Sequence, residues 1–177
     1  LLSRGLGDVY KRQAIVGASG SGKTTLVKLL LGYFAPTSGN IFLGDTPLQD
    51  YDMTSWRHSC GVVLQDSHVF SESLARNIAV EDKHIDRTRL RTAARQANLE
   101  EFIEKLPLKY QTMVGAEGVG LSRGQEQRIF IARALYKDPS FVFLDEATNS
   151  LDANNERIIT GNLLDFCKGR TVLIVAH

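Results

Sequence analysis

The sequence predicts an α/β domain, a mostly parallel sheet flanked by helices, with a helical subdomain inserted into it. Three observations carry this. A short β-branched strand at residues 14–16 runs through a glycine loop into a helix. Two continuous apolar runs, 141–144 and 172–175, flank a helical stretch, as expected of strands buried on both faces of a parallel sheet. Between these units, apolar residues from Ile85 to Leu106 recur at helical spacing.

The elements follow in order. Residues 1–13 show neither alternation nor helical period. After the first strand, Leu26, Leu29 and Leu30 place a helix over 23–31; Pro36-Thr37-Ser38-Gly39 marks a turn, 41–43 a strand, and Gly44-Asp45 the next turn. Residues 85–106 read as one or two amphipathic helices closed by Pro107. A glycine-rich turn then leads to Gly124-Gln125 and a helix reaching Tyr136, stopped by Asp138-Pro139. The last helix spans about 153–167, with Gly169 near its end.

Composition excludes several classes of protein. The chain has 177 residues, 43% hydrophobic and 23% charged, which suits one globular domain with a sizeable core. A net charge of +1 without a basic block lacks the electrostatic footprint of a nucleic-acid binder. The apolar runs fall far short of the roughly 20 residues a bilayer-spanning helix needs. Cys60 and Cys167 belong to no CxxC pair or Cys/His cluster and read as reduced thiols.

Gly17-Ala18-Ser19-Gly20-Ser21-Gly22-Lys23-Thr24 matches GxxxxGK[ST], a pattern expected by chance in roughly one such chain in a few hundred. Its glycines let backbone N–H groups and a helix N-terminus approach phosphate oxygens, Lys23 adds a charge for the β and γ phosphates, and Thr24 offers a hydroxyl to Mg²⁺. With the following Thr25, this P-loop is the expected site for ATP. Four apolar residues deliver Asp145-Glu146 to the end of a buried strand, where open α/β sheets bind ligands. Asp145 is the expected Mg²⁺ ligand, and Glu146 is expected to orient and deprotonate the attacking water.

Leu121-Ser122-Arg123-Gly124-Gln125-Glu126-Gln127-Arg128 resembles the signature LSGGQxQR of the ATP-binding cassette family, and it lies shortly before the Walker B strand as in that family. Gln65 after Val62-Val63-Leu64 resembles the Q-loop glutamine, Ser150-Leu151-Asp152 the D-loop, and His177 the switch histidine. The resemblance implies an ATPase that works as a nucleotide-sandwich dimer. Ser122, Gly124 and Gln125, together with Asp152, would then face the nucleotide of a second cassette. Catalysis would fall to Glu146, His177 and Gln65, with Gln65 also near Mg²⁺. It divides residues 14–177 into a core (14–65), a helical subdomain with the signature (about 66–136) and a Walker B to switch segment (137–177).

Residues 69–78 are similar to the exporter phrase FSGTIxxNI, and 106–115 to LPxGYxTxVGE; peptide exporters with an attached protease domain carry signatures close to this one. An exporter implies transmembrane domains, joined upstream, that meet this helical subdomain, and a place on the cytoplasmic face of the cell membrane. Soluble family members acting in DNA repair or translation are the alternative; the long coiled coils of the repair type find no sustained heptads here. Arg123 stands where the signature has a glycine, and Ala116 where exporters have a Glu after Val-Gly. Family members also have strands and an adenine-stacking aromatic before the loop. Residues 1–13 are expected to be foreign sequence, with Tyr10 too near Gly17 to stack on adenine, and the domain is expected to be truncated at both ends with an incomplete N-terminal β-subdomain.

Overall fold

A computed structural model describes residues 12–80 and 82–176. In chain order these form β1 (Arg12–Val16), α1 (Lys23–Leu30), β2 (Phe42–Leu43), β3 (Thr46–Pro47), α2 (Met53–His58), β4 (Cys60–Val63), α3 (Leu74–Ile78), α4 (Arg87–Gln96), α5 (Glu100–Glu104), α6 (Arg123–Tyr136), β5 (Phe141–Asp145), α7 (Ala153–Phe166) and β6 (Thr171–Ala176). β1, β6, β5 and β4 pair in that order, every pair parallel. Their C-terminal ends therefore share one edge, the edge at which such sheets bind ligands. β2 and β3 form a separate hairpin, with Gly44-Asp45 at its turn as predicted.

Alternation along β5 splits the interior in two. Val142 and Leu144 join α3, α4, α6 and α7 in the larger core, whereas Phe143 packs with Val27, Leu31, Trp56 and Val175 on the α1 and α2 side. This two-sided burial is the reason β5 and β6 read as continuous apolar runs. Cys60 and Cys167 are both buried free thiols.

The predicted helical stretch at 85–106 becomes two helices. Asp86 caps α4 by accepting from the N–H groups of Thr88 and Arg89. α4 buries Leu90, Ala93 and Ala94 and ends at Gln96; two residues on, Asn98 with its left-handed φ of 53° turns the chain into α5. β1 starts at Arg12, two residues before the predicted strand. α2, α3 and β4 had no counterpart among the predicted elements.

Candidate active site

The glycine loop leaves the C-terminal end of β1 and enters α1 through Gly22, whose φ is 87°; Gly20 has φ 77°. A Cβ at either glycine would meet nothing within 4 Å, so their role is backbone conformation and an open surface rather than tight packing. Ser19, Gly20, Ser21, Gly22 and Thr25 are exposed, whereas Lys23 is only 8% exposed. Its Nζ donates to the carbonyl oxygens of Gly17 (2.5 Å) and Ala18 (2.9 Å), which holds the cation inside the loop.

The helix behind the loop differs from the others. α2, α3, α4, α6 and α7 are each capped by a side chain, and α5 has Glu100 and Glu101 in its first turn. Among the described α-helices, only α1 has neither a side-chain cap nor an acidic residue in its first turn. Its positive end is left to be met by an external anion.

Asp145, 1% exposed at the end of β5, accepts a 2.7 Å hydrogen bond from Thr24 Oγ1. A hydroxyl beside a buried carboxylate is an oxygen pair suited to Mg²⁺, which takes its remaining ligands from phosphates and water. That donor set is small, and the described residues contain no cluster of three or more His, Cys, Asp or Glu side chains able to hold a metal by themselves.

Glu146 follows with φ 53°, a left-handed conformation that costs a non-glycine residue about 1–2 kcal/mol. Its N–H is held by the Val175 carbonyl at 3.1 Å, and Asn149 Nδ2 donates to its Oε2 at 2.8 Å. Asn149 was not among the predicted site residues; its place three residues after Glu146, in a turn, is the signal for it. Val63 pairs with Leu144, so Gln65 and Glu146 each lie two residues past that pair, and Gln65 is exposed. β6 is described through Ala176, paired with Val16; His177 lies outside the described residues.

The signature forms the start of α6, away from the P-loop of its own chain in sequence and element. Ser122 and Gln125 make a reciprocal capping box: Gln125 N–H donates to Ser122 Oγ (3.3 Å) and Ser122 N–H donates to Gln125 Oε1 (2.8 Å). Both side chains thus order the turn itself. Arg123 is exposed in the first helical turn. Asp152 caps α7 through the N–H groups of Asn154 and Asn155, and the hydrogen bond from the Asn155 side chain, with those caps, holds its carboxyl below the usual carboxylate range.

Asn77 has a structural role within the stretch similar to the exporter phrase. Fully buried, it accepts from Phe70 N–H (2.8 Å) and donates to the carbonyls of Phe70, Glu72 and Ser73. Arg133 of α6 donates to the Asn77 carbonyl at 2.8 Å and lies over the rings of Phe70 and Phe130. Desolvation brings its guanidinium down to about 10. Arg133 also lines a cavity of about 430 Å³ between β4 and the helical subdomain, with Val62, Ile78, Val80, Arg89 and Tyr136 among its other walls.

Comparison with known proteins agrees with this geometry. Residues 9–149 match the family model described as ABC transporter. The chain is 46% identical over 164 residues to the ATP-dependent lipid A-core flippase of Chromohalobacter salexigens, covering 93% of this chain and 28% of that protein. It is 45% identical over 163 residues to the toxin RTX-I translocation ATP-binding protein of Actinobacillus pleuropneumoniae, covering 92% of this chain and 23% of that protein. A solved bacterial Atm1-family ABC exporter with ATP bound superposes with a TM-score of 0.89 at 37% identity, over 94% of this chain and 30% of that one. The chain thus spans less than a third of the length of each of these proteins.

Proposed function

The chain belongs to the ABC transporter family, and on that premise we propose that it binds ATP at residues 17–25, hydrolyses it, and thereby powers export across a membrane in partnership with a second cassette. The observation that carries this is the uncapped α1 N-terminus behind a loop that holds Lys23, beside the Thr24–Asp145 pair. A triphosphate at that helix end is met by backbone N–H groups and the Lys23 cation. Thr24 and Asp145 would hold Mg²⁺, which when bound screens the charge of the phosphates.

Glu146, fixed by its backbone turn and by Asn149, orients the attacking water and accepts its proton. Gln65, two residues past β4, and His177 complete the assignment, with Gln65 also beside the Mg²⁺. Across the dimer, the Ser122 to Gln125 turn and Asp152 of one copy close on the nucleotide of the other; the box-ordered α6 N-terminus supplies a dipole suited to an anion.

None of the helices among the described residues is long and apolar enough to cross a membrane. We assign the membrane-spanning part to transmembrane domains outside the described residues, joined upstream, and the cavity lined by Val62, Val80 and Arg133 to their cytoplasmic contact. This places the domain on the cytoplasmic face. The flippase and translocation names of the relatives support export over a soluble role in DNA repair or translation.

The test is sedimentation of the Glu146→Gln variant with and without Mg-ATP. Nucleotide-dependent dimers are expected; a monomer at saturating Mg-ATP would overturn the sandwich reading.

A further inference from the structure

The signature turn and the Asp152 cap of α7 are joined within one chain by a run of side-chain hydrogen bonds. Arg128, one turn into α6, donates Nε to the Gly124 carbonyl (3.3 Å) and Nη1 to both the Asn98 carbonyl (2.6 Å) and Asn155 Oδ1 (3.3 Å). Asn98 Nδ2 donates to the same Asn155 oxygen at 2.7 Å. Asn155 Nδ2 then donates to Asp152 Oδ2 at 2.5 Å. The route from Gly124 to Asp152 therefore passes through two side chains, Arg128 and Asn155.

The same knot closes the end of α4. The Gln96 carbonyl, one of the terminal acceptors that no N–H of its own helix reaches, is taken by Asn162 Nδ2 at 2.7 Å. Asn162 lies seven residues past Asn155, on the same face of α7. Arg128 brings a cation to the negative end of the α4 dipole. Where α6 approaches the D-loop, a Cβ at Gly124 would lie 3.2 Å from the Ser150 carbonyl oxygen, so backbone meets backbone there. α4, α6 and α7 are thus tied at one point, next to the residues that the composite site needs.

We propose that Asn98 and Asn155 are positioning residues for the composite nucleotide site: with Arg128 they hold Ser150 to Asp152 at a fixed offset from Ser122 to Gln125, so that both segments meet a second copy's triphosphate as one surface. The inference rests on the dimeric reading above. Both asparagines are half-buried and their amides are spent on the hydrogen bonds that join the three helices.

The experiment compares Asn155→Ala and Asn98→Gly with the parent in the full chain. Glycine preserves the left-handed backbone at position 98 while removing the amide. Melting temperature, ATP turnover against concentration, and amide hydrogen exchange in residues 122–128 and 150–155 are measured. Expected are a near-parental melting temperature, an unchanged KM for ATP, a kcat lower by about tenfold, and faster exchange in both segments together. An unchanged kcat, or a joint loss of kcat, KM and melting temperature, overturns the positioning role. A parent without turnover sinks the functional reading instead. Exchange then decides the knot: acceleration of both segments supports it, and acceleration of neither or of one alone overturns it.

Discussion

Thr24 and Asp145 stand 121 residues apart in the chain, yet the threonine hydroxyl donates a 2.7 Å hydrogen bond to the aspartate carboxylate. This contact joins the first helix of the fold to the last residue of β5. It also fixes the two oxygen ligands assigned to Mg²⁺. Asp145→Asn keeps an oxygen for Thr24 but removes the charge. Mg-dependent ATP turnover is expected to fall by about 100-fold, roughly 2.7 kcal/mol, while nucleotide binding without Mg²⁺ persists. Titrating turnover against Mg²⁺ measures this.

Glu146→Gln removes the proposed proton acceptor without changing shape. Turnover is expected to drop by about 100-fold or more with ATP binding preserved. Asn149→Ala, which releases one carboxylate oxygen of Glu146, is expected to lower kcat by about tenfold and leave KM unchanged. Steady-state kinetics distinguish the two.

Lys23→Ala removes the cation held against the Gly17 and Ala18 carbonyls. A charged hydrogen bond contributes about 1.5–3 kcal/mol, so ATP affinity is expected to weaken by tenfold or more. Calorimetric titration of the variant checks this, and parental affinity would remove Lys23 from the site.

Asn77→Ala removes four side-chain hydrogen bonds to the backbone between Phe70 and Ser73, although the Phe70, Glu72 and Ser73 carbonyls keep backbone donors in Glu72, Val114 and Asn77. Each such bond contributes about 0.5–1.5 kcal/mol without adding fully, and the Phe70 N–H loses its acceptor, so a loss of about 3 kcal/mol is expected. In a domain of this size that is a fall in melting temperature of roughly 6–12 °C. Scanning calorimetry is the measurement.

Burial pushes the Cys60 thiol from 9.0 up to about 11, although Ser59 and Lys137 pull the other way. The unfolded chain therefore ionises this thiol first. Its contribution to stability is complete below about pH 9 and is lost as pH rises toward 11. The urea midpoint of the parent is expected to fall further between pH 8 and 10.5 than that of Cys60→Ala. Equal falls would show that this thiol does not carry the difference.

The legible parts of the sequence were those where one physical demand acts over several neighbouring residues. β5 and β6 are buried on both faces and so are apolar throughout; the P-loop needs glycines at fixed offsets. α3 has five residues and α2 six, too few for a helical period to emerge. β4 was hidden because Gly61 interrupts its apolar run, and that glycine answers to packing from elsewhere, since a Cβ there would lie 2.5 Å from Pro139 Cγ. Arg12 and Gln13 are polar residues of β1, which has a described neighbour on one side only, so alternation did not show there. The roles of Asn77, Asn98 and Asn155 were not legible because each is defined by partners brought close only by folding.

Close packing at Gly61 ties β4 to α6. Its far end is clamped where Gly61 meets Pro139 and the Ala134 carbonyl, and its near end carries Ser122. A rod of 14 residues is about 21 Å long, so tilting its base by about 5° swings the tip by roughly 2 Å. Movement of that size distinguishes a made hydrogen bond from a broken one. A slight push on β4 from outside is expected to be magnified at the Ser122 end, with the knot at Asn155 carrying the D-loop along.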